Sequence, residues 1–149
     1  MIEQGLVQFI QDGLGTLGLT PPGGFYVILP KDLIGDPTIP DAPAGTSAQA
    51  WCFHAIHASP HITIAGQSSW TELLLQIDCH GLTSEDAVSL ARGIQSVLRG
   101  GLNGFSLPDP DATWVYVLTE SEASGVDGYS DANRSYVRSL EYLVQYSQN

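Results

Sequence analysis

The stretch WTELLLQIDCHGLTSEDAVSLARGIQSVLRG, residues 70–100, decides how this chain folds. Its first eleven residues alternate. Thr71, Leu73, Leu75, Ile77 and Cys79 fall on one side of an extended chain, and Glu72, Leu74, Gln76, Asp78 and His80 on the other. The period then changes. Thr83 is a capping residue followed three positions on by Asp86, the signature of a helix start. Ala87, Leu90, Ala91, Ile94, Val97 and Leu98 recur at helical spacing, Arg99 suits the negative end of the helix dipole, and Gly100-Gly101 stops it.

Working outward, Ile2, Leu6, Phe9, Ile10, Leu14 and Leu17 form the apolar stripe of an amphipathic helix over residues 2–17, ended by Pro21-Pro22-Gly23-Gly24. FYVIL, residues 25–29, reads as a short strand. Residues 30–49, with their prolines, glycines and aspartates, break every periodicity and read as a long mobile loop. Residues 50–58 read as the next strand, and 59–69 as a turn region around Pro60 and Gly66. On the C-terminal side, Pro108 and Pro110 bound a loop, and 112–119 form a strand apolar on both faces. Residues 120–133 make an acidic connection, and 134–147 alternate with Tyr136, Leu140, Tyr142, Val144 and Tyr146 on one side. The order predicts one α+β domain over residues 1–149: a mostly antiparallel sheet of about five strands, two helices on one face, and a long loop between the first two strands.

Composition narrows the function. The chain carries 16 acidic and 5 basic residues, for a net charge of −11. That disfavours nucleic-acid binding, which uses Lys and Arg to displace counterions, and an anionic membrane surface. No apolar run approaches the ~20 residues of a membrane helix. The N-terminus lacks the basic and small-residue marks of a signal peptide. Cys52 and Cys79 lie in separate strand-like runs, the usual setting of buried, reduced thiols.

Chemistry-bearing residues do not assemble into a motif. His54, His57 and His61 are close in sequence, but His54 and His57 are an odd number apart and fall on opposite faces of a regular strand. Asp78 and His80 share a face and are the best residual pair for a metal, one short of a usable set. There is no nucleophile elbow, phosphate loop or activated cysteine. No catalytic, metal or cofactor site is therefore assigned.

Apolar surplus is more informative. Trp114, Val115, Tyr116, Val117 and Leu118 would bury both faces of a strand, while two short helices cover one face of a sheet. The other face needs self-association or a covering loop. Trp114, Val115 and Val117 are candidate interface residues on that ground. Arg134 and Arg138, flanking Tyr136, are candidates for intersubunit ion pairs.

The block LLLQIDCHGLTSEDAVSLARGIQSVLRG (73–100) resembles the central block of the phage tail-completion, or tail-terminator, family: a strand ending in an Asp-Cys pair, a short turn, and an Ala/Leu-rich helix ending at Gly. DGYSDANRSYVRSLEYLVQYS (127–147) is similar to that family's closing hairpin, and the N-terminal helix followed by FYVILP fits its opening. The 30–49 loop is longer than the family pattern. The resemblance implies a non-enzymatic virion protein, a hexameric ring at the head-proximal end of the tail that ends tube polymerisation and meets the head connector. Its partners would be further copies of itself, the tail tube protein and the head-completion protein, with genome DNA passing through the lumen without sequence-specific contact. Asp32, Asp36 and Asp41 on the loop become candidates for docking or for an acidic lumen. The rivals are a head-completion or stopper protein, and a small cytosolic metal- or ligand-binding α+β domain.

Overall fold

The computed structural model describes residues 2–30, 33–35, 47–63, 66–99, 105–109, 112–122, 128–130 and 135–148. Among these, two helices and a mixed sheet of seven strands form an α+β fold. Helix α1 spans Ile2–Thr16 and α2 spans Ser84–Arg99. The strands are β1 (Phe25–Tyr26), β2 (Gln49–Thr63), β3 (Gly66–Gly81), β4 (Phe105–Asp109), β5 (Ala112–Glu122), β6 (Gly128–Ser130) and β7 (Ser135–Gln148). Their order is β1-β2-β3-β7-β5-β4, with β6 paired to β7.

The centre of the sheet follows the sequence pattern. β3 and β7 run antiparallel in unbroken register from Trp70 opposite Ser147 to Gly81 opposite Tyr136. This stacks Leu73 on Val144, Leu75 on Tyr142 and Ile77 on Leu140. All six are buried, in one cluster with Trp51, Phe53, Cys79, Val115 and Tyr146 of the sheet. Leu6, Ile10 and Leu14 of α1 and Leu90, Ala91, Ile94 and Leu98 of α2 complete that cluster. Fully burying one such side chain stabilises by roughly 1.5–3 kcal/mol.

Helix α2 starts as its sequence announces. The Asp86 amide donates to Thr83 Oγ1 at 3.2 Å, and the Thr83 amide donates back to Asp86 Oδ2 at 3.3 Å, closing a capping box. Gly81 permits the tight step from strand to helix, since a Cβ there would overlap the Ala87 nitrogen and the Thr83 carbonyl.

The periphery departs from expectation in six places. The FYVIL strand stops after Tyr26, because Val27 takes φ +69° and the Ile28 amide donates to the Tyr26 carbonyl at 2.9 Å. This is a γ-turn, a strained conformation for a β-branched residue, and it lifts the chain off the sheet edge. β1 is also parallel to β2, which makes the sheet mixed. The region around Pro60 and Gly66 continues β2 and β3 as a long hairpin. Pro60 is tolerated because it lies beside a register shift on a strand with no second neighbour at that point among the described residues. Residues 105–109 form β4, with Pro108 inside another register shift on the last strand in the order. β5 extends to Glu122, and β6 adds three residues within the acidic connection.

The 30–49 segment is tied at both ends. Ile34 bridges Ser47, the Gly35 amide donates to the Ser47 carbonyl at 2.8 Å, and the Ser47 amide to the Leu33 carbonyl at 3.2 Å. Ile34 is buried in a second cluster with Leu29, Ala50 and Cys52. Part of the second sheet face is thus covered by the chain's own loop ends. Asp32, Asp36 and Asp41 lie outside the described residues.

Candidate functional site

Two regions stand out once the core is set aside. The first is a polar cluster on the sheet face carrying Cys52, Asp78 and His80. Cys52 pairs with Asp78 across β2 and β3, and His80 lies two residues further along β3. His80 is buried, and its Nδ1 is 2.8 Å from the hydroxyl of fully buried Ser135. Its Nε2 is 3.8 Å from Cys52 Sγ, which is 3.5 Å from the Val27 carbonyl. Asp78 Oδ1 accepts from Ser139 Oγ at 2.6 Å and from Gln76 Nε2 at 2.9 Å.

These contacts set the chemistry. Burial, helped by the nearby Asp78 carboxylate, pushes the Cys52 thiol up to about 12, so it stays protonated at neutral pH. A protonated thiol is a poor nucleophile. Burial also pulls His80 below its ordinary value, with Asp78 acting in the opposite sense. A neutral His80 held by Ser135 is a satisfied buried polar group. The arrangement orders the sheet face rather than presenting an activated pair.

The regular strand alternation assumed for His54 and His57 is interrupted in the backbone. A register shift at Ile56 leaves His54 opposite Gln76 and His57 opposite Leu74, two residues apart on β3. One bulged residue offsets their odd spacing, so both take positions of the same parity in the hairpin. His54 Nδ1 is buried with no hydrogen-bond partner. Among the described residues, no group of three or more His, Cys, Asp or Glu side chains is placed to hold a metal ion.

The second region is the outer edge of the sheet. Tyr26, Val27, Ile28 and Ile56 are exposed there, at 62%, 47%, 73% and 45%. Tyr26 stacks edge-on against Phe53 with ring centroids 5.6 Å apart. Sequence reasoning assigned FYVIL to a short strand and did not single it out as surface.

The residues chosen from sequence fall elsewhere. Val115 is fully buried in the chain's own core, which leaves none of it for a partner. Trp114 and Val117 stand in β5 opposite Ser147 and Val144. Arg138, opposite Cys79, is half-buried and engaged within the chain, and Arg134 lies outside the described residues. Tyr136 is exposed and packs edge-on against Tyr129 at 5.2 Å. A shallow hollow on the outer side of α2 is lined by Ser84, Glu85, Val88, Ser89 and Arg92. No helix among the described residues is long and apolar enough to cross a membrane.

No protein-family profile matches this chain, and no curated protein matches its sequence.

Proposed function

We propose that this chain is a structural subunit of a long-tailed phage or prophage, a tail-completion protein acting as a ring at the head-proximal end of the tail. In that role it ends tube polymerisation and joins the tail to the head connector. It works by contact, with no catalytic residue and no cofactor.

The observation that carries the reading is the relation between the two resembling blocks. Residues 73–100 supply most of β3 and all of α2, and residues 127–147 supply β6 and most of β7. β3 and β7 are neighbours at the centre of the sheet, and α2 packs over both. The resemblance thus falls on one contiguous structural unit. The chemistry of the polar cluster agrees with a contact protein: its thiol is protonated, and its carboxylate and imidazole are engaged with serines. A net charge of −11 agrees with a ring through which DNA passes without adhering.

A nonsense mutation in the gene, within the phage that carries it, tests the reading by negative-stain electron microscopy of the lysate. Filled heads beside unattached tails of abnormal length are the expected result. Free tails of normal length would move the role to the head side, to a head-completion or stopper protein. Normal infectious particles would overturn the structural role.

A further inference from the structure

The strained turn at Val27 is held from three sides. Its amide donates to the Phe53 carbonyl at 2.8 Å, its carbonyl oxygen lies 3.5 Å from Cys52 Sγ, and Leu29, two residues on, is buried in one cluster with Cys52. A β-branched residue at φ +69° keeps that conformation only where its surroundings impose it. Between these anchors Tyr26 and Ile28 are exposed. The turn therefore decides how two apolar side chains are presented at the surface.

Counting protons gives the carbonyl contact a direction. A carbonyl oxygen only accepts, so the hydrogen in the Cys52–Val27 contact belongs to the thiol. A thiol has one hydrogen. The sulfur, 3.8 Å from His80 Nε2, is left to accept there, so Nε2 carries the ring proton. In the neutral ring Nδ1 is then bare, and the Ser135 hydroxyl 2.8 Å away donates to it. The hydrogens all point one way, from Ser135 of β7 through His80 of β3 and Cys52 of β2 to Val27. Cys52, His80 and Ser135 are all buried, where a missing partner is costly.

We propose that Ser135, His80 and Cys52 form a one-way hydrogen-bond relay that latches the Val27 turn and confines the effect of acid to the Ser135 end. All three are positioning residues. The ring is faced by Cys52 from β2 and Ser135 from β7, and it feels Asp78 on its own strand, whose carboxylate accepts from Ser139 and Gln76. A proton taken up by the ring goes to the bare Nδ1. Ser135 must then turn from donor to acceptor, and its own hydrogen loses its partner in a fully buried place. Ser135 begins β7 and pairs with Ser130 of β6, so acid loosens the sheet there. The bonds from Nε2 to the sulfur and from the thiol to the carbonyl keep their sense, and the latch stays closed. None of this depends on the proposed tail role.

Nitrogen-15 NMR of the labelled full chain tests relay and latch separately. At neutral pH the wild-type His80 ring, identified by its loss in His80→Gln, should carry hydrogen on Nε2 and none on Nδ1. Hydrogen exchange reads the latch. Cys52→Ala should speed exchange of the Val27 and Ile28 amides roughly fivefold relative to the β3 amides, the effect of one hydrogen bond of average strength. A general loss of stability would speed β3 as well, so the ratio isolates the turn. Cys52→Ser, which keeps a donor and an acceptor, should restore the wild-type ratio, and Ser135→Ala should leave it unchanged. As His80 takes up its proton below pH 6.5, exchange should rise in the β6–β7 pair and not at Val27 and Ile28. A wild-type ring with its hydrogen on Nδ1 would overturn the relay without any variant. Equal ratios in C52A and wild type would overturn the latch, and acid loosening at Val27 would overturn its direction.

Discussion

The β3–β7 pair and the outer half of β2 are both long strand segments, and they behave as opposites. β3 and β7 hold one register through their whole contact and bury Leu73, Leu75, Ile77, Leu140, Tyr142 and Val144. β2 shifts register between Ala55 and His57 and again between Pro60 and Ile62, and Ile56 stays exposed. The difference comes from neighbours. A strand flanked on both sides and covered by helices must alternate without error, because a one-residue slip would turn its apolar set to the wrong face. An edge strand answers to one neighbour and can absorb a proline, a bulge or an uncharged run. The centre specifies the fold, and the edge tolerates irregularity.

The largest expected effect breaks the comparison at its centre. Leu75→Ala should destabilise the chain by about 2–5 kcal/mol, because the surrounding core closes only partly around the lost volume. Ile56→Ala should change stability by less than about 0.5 kcal/mol, as exposed substitutions do. Urea denaturation of the two variants checks the contrast, and equal losses would erase it.

Next is the polar cluster beside the centre. Ser135→Ala leaves the buried His80 Nδ1 without its partner and should cost about 1–3 kcal/mol. The same histidine gives stability a pH dependence. Above pH 6.5 its ring is neutral in both folded and unfolded chains. Below that, the unfolded chain takes up a proton that the buried ring resists, so stability falls as the pH falls through 6.5. His80→Gln should flatten this part of the decline. Denaturation curves at pH 7.5 and pH 5.5, on both variants and wild type, measure it.

A smaller effect belongs to the start of α2. Thr83→Ala removes the cap on the Asp86 amide and should cost roughly 1 kcal/mol, read as a shift in urea midpoint. The smallest effect is chemical. Cys52 should resist alkylation in the native chain at neutral pH and react once the chain is unfolded, because its thiol is pushed up to about 12 and buried. Mass spectrometry after iodoacetamide treatment distinguishes the two states.

The same contrast explains what was legible in the sequence. The alternation of residues 70–80, the capping box at Thr83 and Asp86, and the stripes of both helices are local signals of buried elements, and each appears in the structure, except that α1 ends at Thr16 and leaves Leu17, expected on its buried stripe, exposed past the helix end. Expectations went astray where tertiary context overrides local preference. Pro60 and Pro108 read as turns, yet each sits in an irregular stretch of a strand at the margin of the sheet. FYVIL has high strand propensity, yet Val27 turns away after two paired residues. The bulge at Ile56, which aligns the positions of His54 and His57, leaves no trace in residue types. Val115 looked available because a strand apolar on both faces does not say which face the chain itself fills. The polar cluster was half legible: Asp78 and His80 share a face by parity, but Ser135 and Ser139 come from a strand more than fifty residues away.

The central claim, a contact protein that works as an assembly at the end of a phage tail, is tested most directly by adding purified chain to a lysate of the nonsense mutant and titrating infectious particles. Wild-type chain should restore infectivity. Infectivity that stays absent with wild-type chain would contradict the account.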